Sequence, residues 1–221
     1  MLGKNHMQHR FELVVFDIGG VLVNTVRSFE EAHERVGLPF PPPSDPEFEA
    51  RSAAIPRRGI GAIYSERYFM LFADASQGVY TAAEVRRISE ASLAEEYPGI
   101  GSVFDALEAV SIESAVLGNT NDAHWASFFP ETPDEPKFPT LTRVQHRFAS
   151  HILGVEKPDS PIYKHVELAT GHSAGRILFF DDRKENVEGA HAIGWTAELI
   201  DYTGDTTAQL LATLRQHGVV D

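Results

Sequence analysis

The chain has no cysteine, and its 221 residues carry 19 Lys and Arg against 32 Asp and Glu, for a formal net charge of -13. Without cysteine there is neither a disulfide framework nor thiolate chemistry, which suits a reducing cytoplasm. The acid surplus argues against a nucleic-acid partner, because a phosphate backbone needs clustered Lys and Arg. Long apolar runs are missing too. No stretch is long enough to span a bilayer, and the opening MLGKNHMQHR lacks the apolar region of a secretory leader. Residues 1–10 read as a frayed or vector-derived tail, and neither an internal repeat nor a low-complexity tract is visible. The length fits one domain of ordinary size, or a core carrying a smaller insertion.

Four short apolar runs are present: ELVVFD, SIESAVLG, RILFFDD and TAELID. They are hydrophobic throughout rather than alternating, the pattern of parallel strands covered on both faces. Helical stretches follow them. SPIYKHVELATG offers Ser160 or Asp159 as a cap, Pro161 in its first turn and Gly171 as its stop. DTTAQLLATLRQHG starts at Asp205, carries Leu210, Leu211 and Leu214 as a stripe, and ends at Gly218. This alternation predicts an α/β fold with a doubly wound parallel sheet.

Between about Thr25 and Pro98 the alternation breaks. That stretch reads as helical pieces without a strand: SFEEAHERVG, GAIYSERYFMLFAD and TAAEVRRISEASLAEE, the last with Thr81 and Glu84 as a capping box. The Pro-rich GLPFPPPSDP between the first two excludes a continuous helix. The predicted organisation is a tail over 1–10, an α/β core over 11–24 and 99–221, and a helical insertion over 25–98. A second acidic, Pro-rich stretch, PETPDEPKFPT, reads as surface loop.

In open α/β sheets, ligands bind beyond the carboxyl ends of the strands. There the sequence places Asp17, then Gly118, Asn119 and Thr120, then Asp181 and Asp182, with Lys157 in the loop GVEKPD ahead of a helix. Three carboxylates brought together repel unless a cation holds them. Mg²⁺, a hard ion with oxygen ligands, suits such a site when the substrate is a phosphate.

FDIGGVLV, LGNTND, GVEKPDSPIY and ILFFDDRKENVEGAHAIGW, in that order, resemble the four motifs of the haloacid dehalogenase (HAD)-like superfamily. The helical insertion falls where that family carries its C1-type cap. The resemblance runs from about Leu13 to Ile200 and is strongest to phosphatases related to α-D-glucose-1-phosphate phosphatase and the epoxide-hydrolase N-terminal domain. It implies a Rossmann-like core and a Mg²⁺-dependent hydrolase acting on a small phosphorylated metabolite. Asp17 would attack phosphorus and form an aspartyl-phosphate. Mg²⁺ would be held by Asp17, the Gly19 carbonyl and Asp182, with Asp181 and Asn186 acting through water. Lys157 would neutralise the phosphoryl oxygens and keep Asp17 ionised. Gly118, Asn119 and Thr120 would join Lys157 in binding phosphate, and the cap residues Arg57 and Arg58 would close over an anionic substrate.

The chain departs from the family pattern twice. The position two residues after the nucleophile, usually an acid that transfers protons, is Gly19, a loss typically worth about 10²- to 10⁴-fold in rate. Leaving groups of low pKa tolerate that loss best. Where the family has a Ser or Thr on the phosphoryl group, this chain has Gly118; the missing hydrogen bond is worth roughly 1.5–3 kcal/mol. The amides of Asn119 and Thr120, or the Thr120 hydroxyl, are the expected substitutes.

Plainer readings exist for each residue. Asp17 would be a turn residue, Asp181 and Asp182 caps for the helix near Asn186, and Lys157 or the Arg57 and Arg58 pair merely solvated. The ten histidines show no ligand spacing and read as surface or satisfied core residues. Asn121, Asp122 and Trp125 would start and pack a helix, and Ile63, Phe69 and Phe72 would form the insertion's own core. Two rival functions follow: a non-catalytic HAD-like binding module, favoured by Gly19 and Gly118, and a metal-independent 2-haloacid dehalogenase. Paired acids at 181 and 182 tell against the second, since they would repel an anionic substrate.

Overall fold

The computed structural model describes residues 10–26, 28–40, 46–132 and 136–221. The expected tail, apart from Arg10, and the Pro41–Asp45 part of the Pro-rich turn lie outside the described residues. The chain runs β1 (Leu13–Phe16), β2 (Val23–Thr25), α1 (Phe29–Val36), α2 (Pro46–Ala53), α3 (Ser65–Ala75), α4 (Ala82–Ala91), β3 (Leu93–Glu96), α5 (Gly101–Ala109), β4 (Glu113–Gly118) and α6 (Asp122–Phe128). It continues with β5 (His146–Ala149), α7 (Ser150–Leu153), α8 (Ser160–Thr170), β6 (Ile177–Asp181), α9 (Lys184–Ala192), β7 (Thr196–Leu199) and α10 (Thr206–Gln216).

Five strands form one parallel sheet in the order β5-β4-β1-β6-β7. β1 is central and buried at every position because alternate side chains enter two different cores. Val14 and Phe16 join Val116, Leu178 and Phe180 against Phe104 and Leu107 of α5 and Leu210 and Leu214 of α10. Leu13 and Val15 join Ala115, Ile177 and Phe179 against Ile162, Tyr163 and Val166 of α8 and Val187 and Ala190 of α9. Helices on both faces make this a doubly wound α/β fold. Burial of each such side chain contributes about 1.5–3 kcal/mol, so both faces of one four-residue strand anchor the sheet.

Local signals set the helix ends. Asp159 and Gly171 flank α8, with Pro161 in its first turn, although Asp159 makes no side-chain cap bond. Asp205 caps α10 through the Ala208 amide, and Thr81 with Glu84 forms a reciprocal capping box on α4.

Three readings need correction. The stretch 25–98 contains strand: the helix starting after Thr81 ends at Ala91, and β3 pairs antiparallel with β2. LAEE looks helical by propensity, but Leu93 and Ala94 are buried and tertiary pairing overrides it. β5, His146–Ala149, was absent from the four expected strands because this edge strand reads HRFA, with polar residues at its start. The stretch PETPDEPKFPT is more than surface, since Phe138 is fully buried in the core and Lys137 donates to the Leu93 carbonyl at 2.8 Å.

Helices α1–α4 have an apolar cluster of their own, built on Ala32, Phe69, Phe72, Tyr80, Val85 and Ile88. Of the expected set, Phe69 and Phe72 belong to it.

Candidate active site

β1, β4 and β6 are adjacent, so their carboxyl ends bring Asp17, Gly118 and Asp181 to one edge of the sheet. Asp17 follows β1, with its amide bound to the Phe180 carbonyl at 2.8 Å. The chain then turns tightly, Leu22 and Val23 donating back to the Ile18 carbonyl, and Gly20 takes a φ of 87° that a side chain would strain.

Lys157 reaches this edge from the loop before α8 with its side chain wholly buried. Its Nζ donates to Asp17 Oδ1 and to Asp181 Oδ2, each at 2.7 Å. Asn119 fixes that loop from β4's end: its Nδ2 donates to the Lys157 carbonyl at 2.8 Å, and its Oδ1 accepts the Lys157 amide at 2.9 Å. Asp181, also fully buried, accepts further bonds from the Arg183 amide at 2.9 Å and from Asn186 Nδ2 at 2.9 and 3.1 Å. The N-cap position of α9 is Arg183, not either aspartate, and its side chain makes no cap bond.

Carboxylate oxygens of Asp17, Asp181 and Asp182 lie within 4.8 Å of one another. One ammonium beside three carboxylates leaves a charge deficit. Burial pushes the Asp17 carboxyl up to about 7 against the opposing pull of Lys157, with Asp181 and Asp182 adding to the rise. Burial alone would lower Lys157, but Asp17 and Asp181 hold it above the ordinary lysine range. A hard divalent cation fits both the oxygen donors and the deficit.

These groups open into a cavity of about 300 Å³ lined by Asp17, Gly19, Gly118, Asn119, Thr120, Lys157, Asp182 and Asn186 among others. Thr120 Oγ1 is buried on this wall and has no hydrogen-bond partner. The Thr120 amide, an expected anion donor, is instead bound to Ser150 Oγ at 3.0 Å. Neighbours have taken the space beside the two unusual glycines. A Cβ at residue 19 would lie 3.2 Å from Thr25 Cγ2, and one at residue 118 would lie 3.2 Å from Ile18 Cδ1.

Arg57 and Arg58 do not line the cavity. Arg57 pairs with Glu156, while Arg58 donates to Ser89 Oγ at 3.1 Å and stacks over the Tyr68 ring. Sequence reasoning missed six residues that do line it: Thr25, Leu93, His124, Phe128, Ile18 and Arg183. The first four come from β2, β3 and α6, elements whose approach no motif records, whereas Arg183 stands next to Asp182 and was within reach. His124 Nε2 lies 2.9 Å from the Ser89 carbonyl, which accepts only, so the ring proton sits on Nε2 and Nδ1 is the acceptor.

The family model for haloacid dehalogenase-like hydrolases matches residues 11–194. The chain belongs to this family. Phosphatase MT3486 of Mycobacterium tuberculosis (strain CDC 1551 / Oshkosh) is 36% identical over 72 residues, 33% of each chain. Sesquiterpene phosphatase astK of Aspergillus oryzae (strain ATCC 42149 / RIB 40) is 45% identical over 47 residues, 21% of this chain and 24% of that one. The chain thus matches a third or less of these relatives' lengths. Among solved structures, a HAD-like family hydrolase from Porphyromonas gingivalis has a TM-score of 0.71 at 21% identity, covering 93% of this chain and 98% of that chain. A HAD family enzyme from Bacteroides thetaiotaomicron, solved in complex with magnesium and inorganic phosphate, has a TM-score of 0.68 at 18% identity, covering 88% and 96%. L-2-haloacid dehalogenase from Xanthobacter autotrophicus shares the fold at a TM-score of 0.59 and 19% identity, covering 86% and 77%.

Proposed function

We propose that this HAD-like hydrolase is a Mg²⁺-dependent phosphatase of small phosphorylated metabolites, working through an aspartyl-phosphate on Asp17 behind a cap formed by residues 25–98. The observation that carries the reading is the buried Lys157 bridging Asp17 and Asp181 beside Asp182, on the cavity that all but Asp181 line. In this reading Asp17 attacks phosphorus while the bond to the leaving oxygen breaks, and water then attacks phosphorus and releases Asp17. Lys157 fixes the nucleophilic oxygen and offsets charge on the phosphoryl group, and a rotation of Thr120 about χ1 would turn its unpartnered, buried hydroxyl toward the place that Gly118 leaves without one. Asp17, Asp182 and the Gly19 carbonyl would hold Mg²⁺, with Asp181 and Asn186 behind them; when bound, the ion supplies further stabilisation of phosphoryl charge. With no acid at residue 19, leaving groups of low pKa, such as anomeric sugar phosphates and acyl phosphates, turn over fastest.

The two local phosphatase relatives and the fold shared with a magnesium and phosphate complex support this reading. Gly19 and Gly118 favour a non-catalytic rival that keeps ligand binding. The paired acids beside Asp17 disfavour the dehalogenase rival, whose anionic substrate they would repel.

The test is phosphate release from acetyl phosphate, sugar 1-phosphates, sugar 6-phosphates and nucleotides, with Mg²⁺ or chelator, for the native chain and Asp17→Asn, plus halide release from 2-chloropropionate. Mg²⁺-dependent release lost in the variant is expected. Release no greater than the variant's across the panel assigns the chain to the non-catalytic class, and halide release in chelator assigns it to the dehalogenases.

A further inference from the structure

One short piece of the insertion bears on the loops at the strand ends without lining the cavity. The 3₁₀ turn Arg58–Ile60 and its flanking residues meet the core at three points. Ser150, fully buried at the start of α7, has its Oγ 2.5 Å from the Gly59 carbonyl. Gly61, at a φ of 69°, approaches the His151 carbonyl so closely that a Cβ there would collide with it. Arg57 pairs with Glu156, the residue before Lys157. The cavity lining includes none of residues 57–61.

The same Ser150 hydroxyl is the partner of Thr120. It accepts the Thr120 amide at 3.0 Å and lies 3.1 Å from the Thr120 carbonyl, so its one proton has two carbonyls within reach. The shorter contact gives that proton to Gly59. A hydroxyl that donates strongly also accepts more strongly, so the seated turn tightens the bond that holds the Thr120 amide. With the turn withdrawn, the proton passes to the Thr120 carbonyl and draws it toward Ser150.

We infer that Ser150 is a positioning residue: its hydroxyl makes the setting of Thr120 on the cavity wall depend on whether the 58–61 turn of the insertion is seated. The consequence for phosphate rests on the phosphatase reading above, in which the Thr120 hydroxyl turns toward the phosphoryl group. That hydroxyl stands on the residue whose backbone Ser150 holds, and Asn119, one residue earlier, clamps the Lys157 backbone. A shift of this short loop therefore moves two groups assigned to one phosphate. Phosphate affinity is then highest with the turn seated, although the turn itself touches no ligand.

Gly61→Ala is the deciding variant, because it alters no side chain of the core or of the cavity lining. Its Cβ pushes the turn off the His151 carbonyl, and the left-handed φ adds strain. Ser150→Ala removes the hydroxyl itself. Gly37→Ala is the control, straining the end of α1 in the same insertion where its Cβ has open space. Two quantities are measured: hydrogen exchange of the Thr120 amide by NMR in metal-free protein, and the affinity of the Mg²⁺-loaded protein for inorganic phosphate by titration calorimetry. Thr120 exchange is expected to quicken by at least about tenfold in Gly61→Ala and Ser150→Ala and to stay within about twofold in Gly37→Ala, with the amides of β1 and β6 protected throughout. Phosphate should bind about five- to tenfold more weakly in the first two, and the double variant should bind it no more weakly than Ser150→Ala alone, since one path carries both effects. Native exchange at Thr120 in Gly61→Ala, the same quickening in Gly37→Ala, native phosphate affinity in Ser150→Ala, or additive losses in the double variant overturn the inference. A native chain that binds no phosphate removes the phosphate site of the proposed function, and the exchange rates then judge Ser150 by themselves.

Discussion

Lys157→Met is the sharpest perturbation of the proposed site, because its cost follows from two hydrogen bonds. The lysine side chain is wholly buried, and its Nζ lies 2.7 Å from both Asp17 Oδ1 and Asp181 Oδ2. Methionine keeps most of the volume and removes the charge. Asp181 retains the Arg183 amide and Asn186, but both carboxylates lose the ammonium between them. Breaking a buried ion pair from one side costs about 3–5 kcal/mol. Asp17→Asn acts in the opposite sense: burial already resists the charged form of this carboxyl, so an amide there relieves part of the deficit. The double variant is therefore expected to be less unstable than the sum of the singles, with a coupling of about 1–3 kcal/mol. Urea unfolding of the four proteins in chelator, at pH 8, above the value of about 7 to which burial pushes Asp17 in the native chain, measures this cycle. Saturating Mg²⁺ should then recover part of the Lys157→Met loss by supplying the missing positive charge. A Lys157→Met loss below about 1 kcal/mol, or strict additivity, would refute the charge-deficit account.

Other predictions concern single positions. Gly118→Ser returns a hydroxyl to the end of β4 at the cost of moving Ile18 Cδ1 by a few tenths of an ångström; kcat/KM should rise by about 10- to 100-fold, the worth of one charged hydrogen bond, and a fall would show that Ile18 does not yield. Gly189→Ala should destabilise by about 1–3 kcal/mol and slow turnover, because its Cβ would sit 2.8 Å from the Pro158 carbonyl beside Lys157; unchanged thermal stability would contradict the close packing. His124 has a folded pKa of about 4, below its unfolded value, so its contribution is present above about pH 6.5 and lost as pH falls through 4. The native chain should lose up to about 3 kcal/mol over that window by this route, and a His124→Asn variant with the same pH slope would exclude it.

How legible these features were in the sequence depended on burial and on distance along the chain. β1 and β6 are continuous apolar runs because both their faces are covered, and such strands announce themselves. β5 and β3 do not. Each is short and carries polar residues, and the pairing that makes it a strand comes from a distant segment. The same division holds at the site. Asp17, Asp181, Asp182 and Lys157 stand out because acids and a lysine at strand ends are unusual in themselves. The clamp that Asn119 places on both backbone groups of Lys157 spans 38 residues, and no local pattern encodes it. Ser150 is equally silent, yet its hydroxyl accepts the Thr120 amide and lies 2.5 Å from the Gly59 carbonyl.

That last contact exposes a second face of the loop after β4. Asn119 and Thr120 face the cavity, while Asp122 reaches the helical segment, where both its carboxylate oxygens accept the Ser65 amide at 3.0 and 3.1 Å and Oδ1 accepts the Ser65 hydroxyl at 2.6 Å. α3 has no side-chain cap from its own N-cap residue, Tyr64, so a carboxylate from the core caps it instead. The neighbouring ties are also polar: His124 to Ser89, Ser150 to Gly59 and Arg57 to Glu156. A junction held by such bonds, with its apolar cluster on the helical side, separates at lower cost than a shared core would. Asp122→Ala removes the cap and should cost about 0.5–2 kcal/mol. Asp122→Asn, whose amide oxygen still accepts, should recover much of it. Hydrogen exchange checks where that cost falls: amides of α3 and of the residues preceding it should lose protection in Asp122→Ala, while those of β1, β4 and β6 keep theirs. Uniform loss across sheet and helices would mean that the two parts unfold as one unit, and the polar junction would then have no independent opening to offer a substrate.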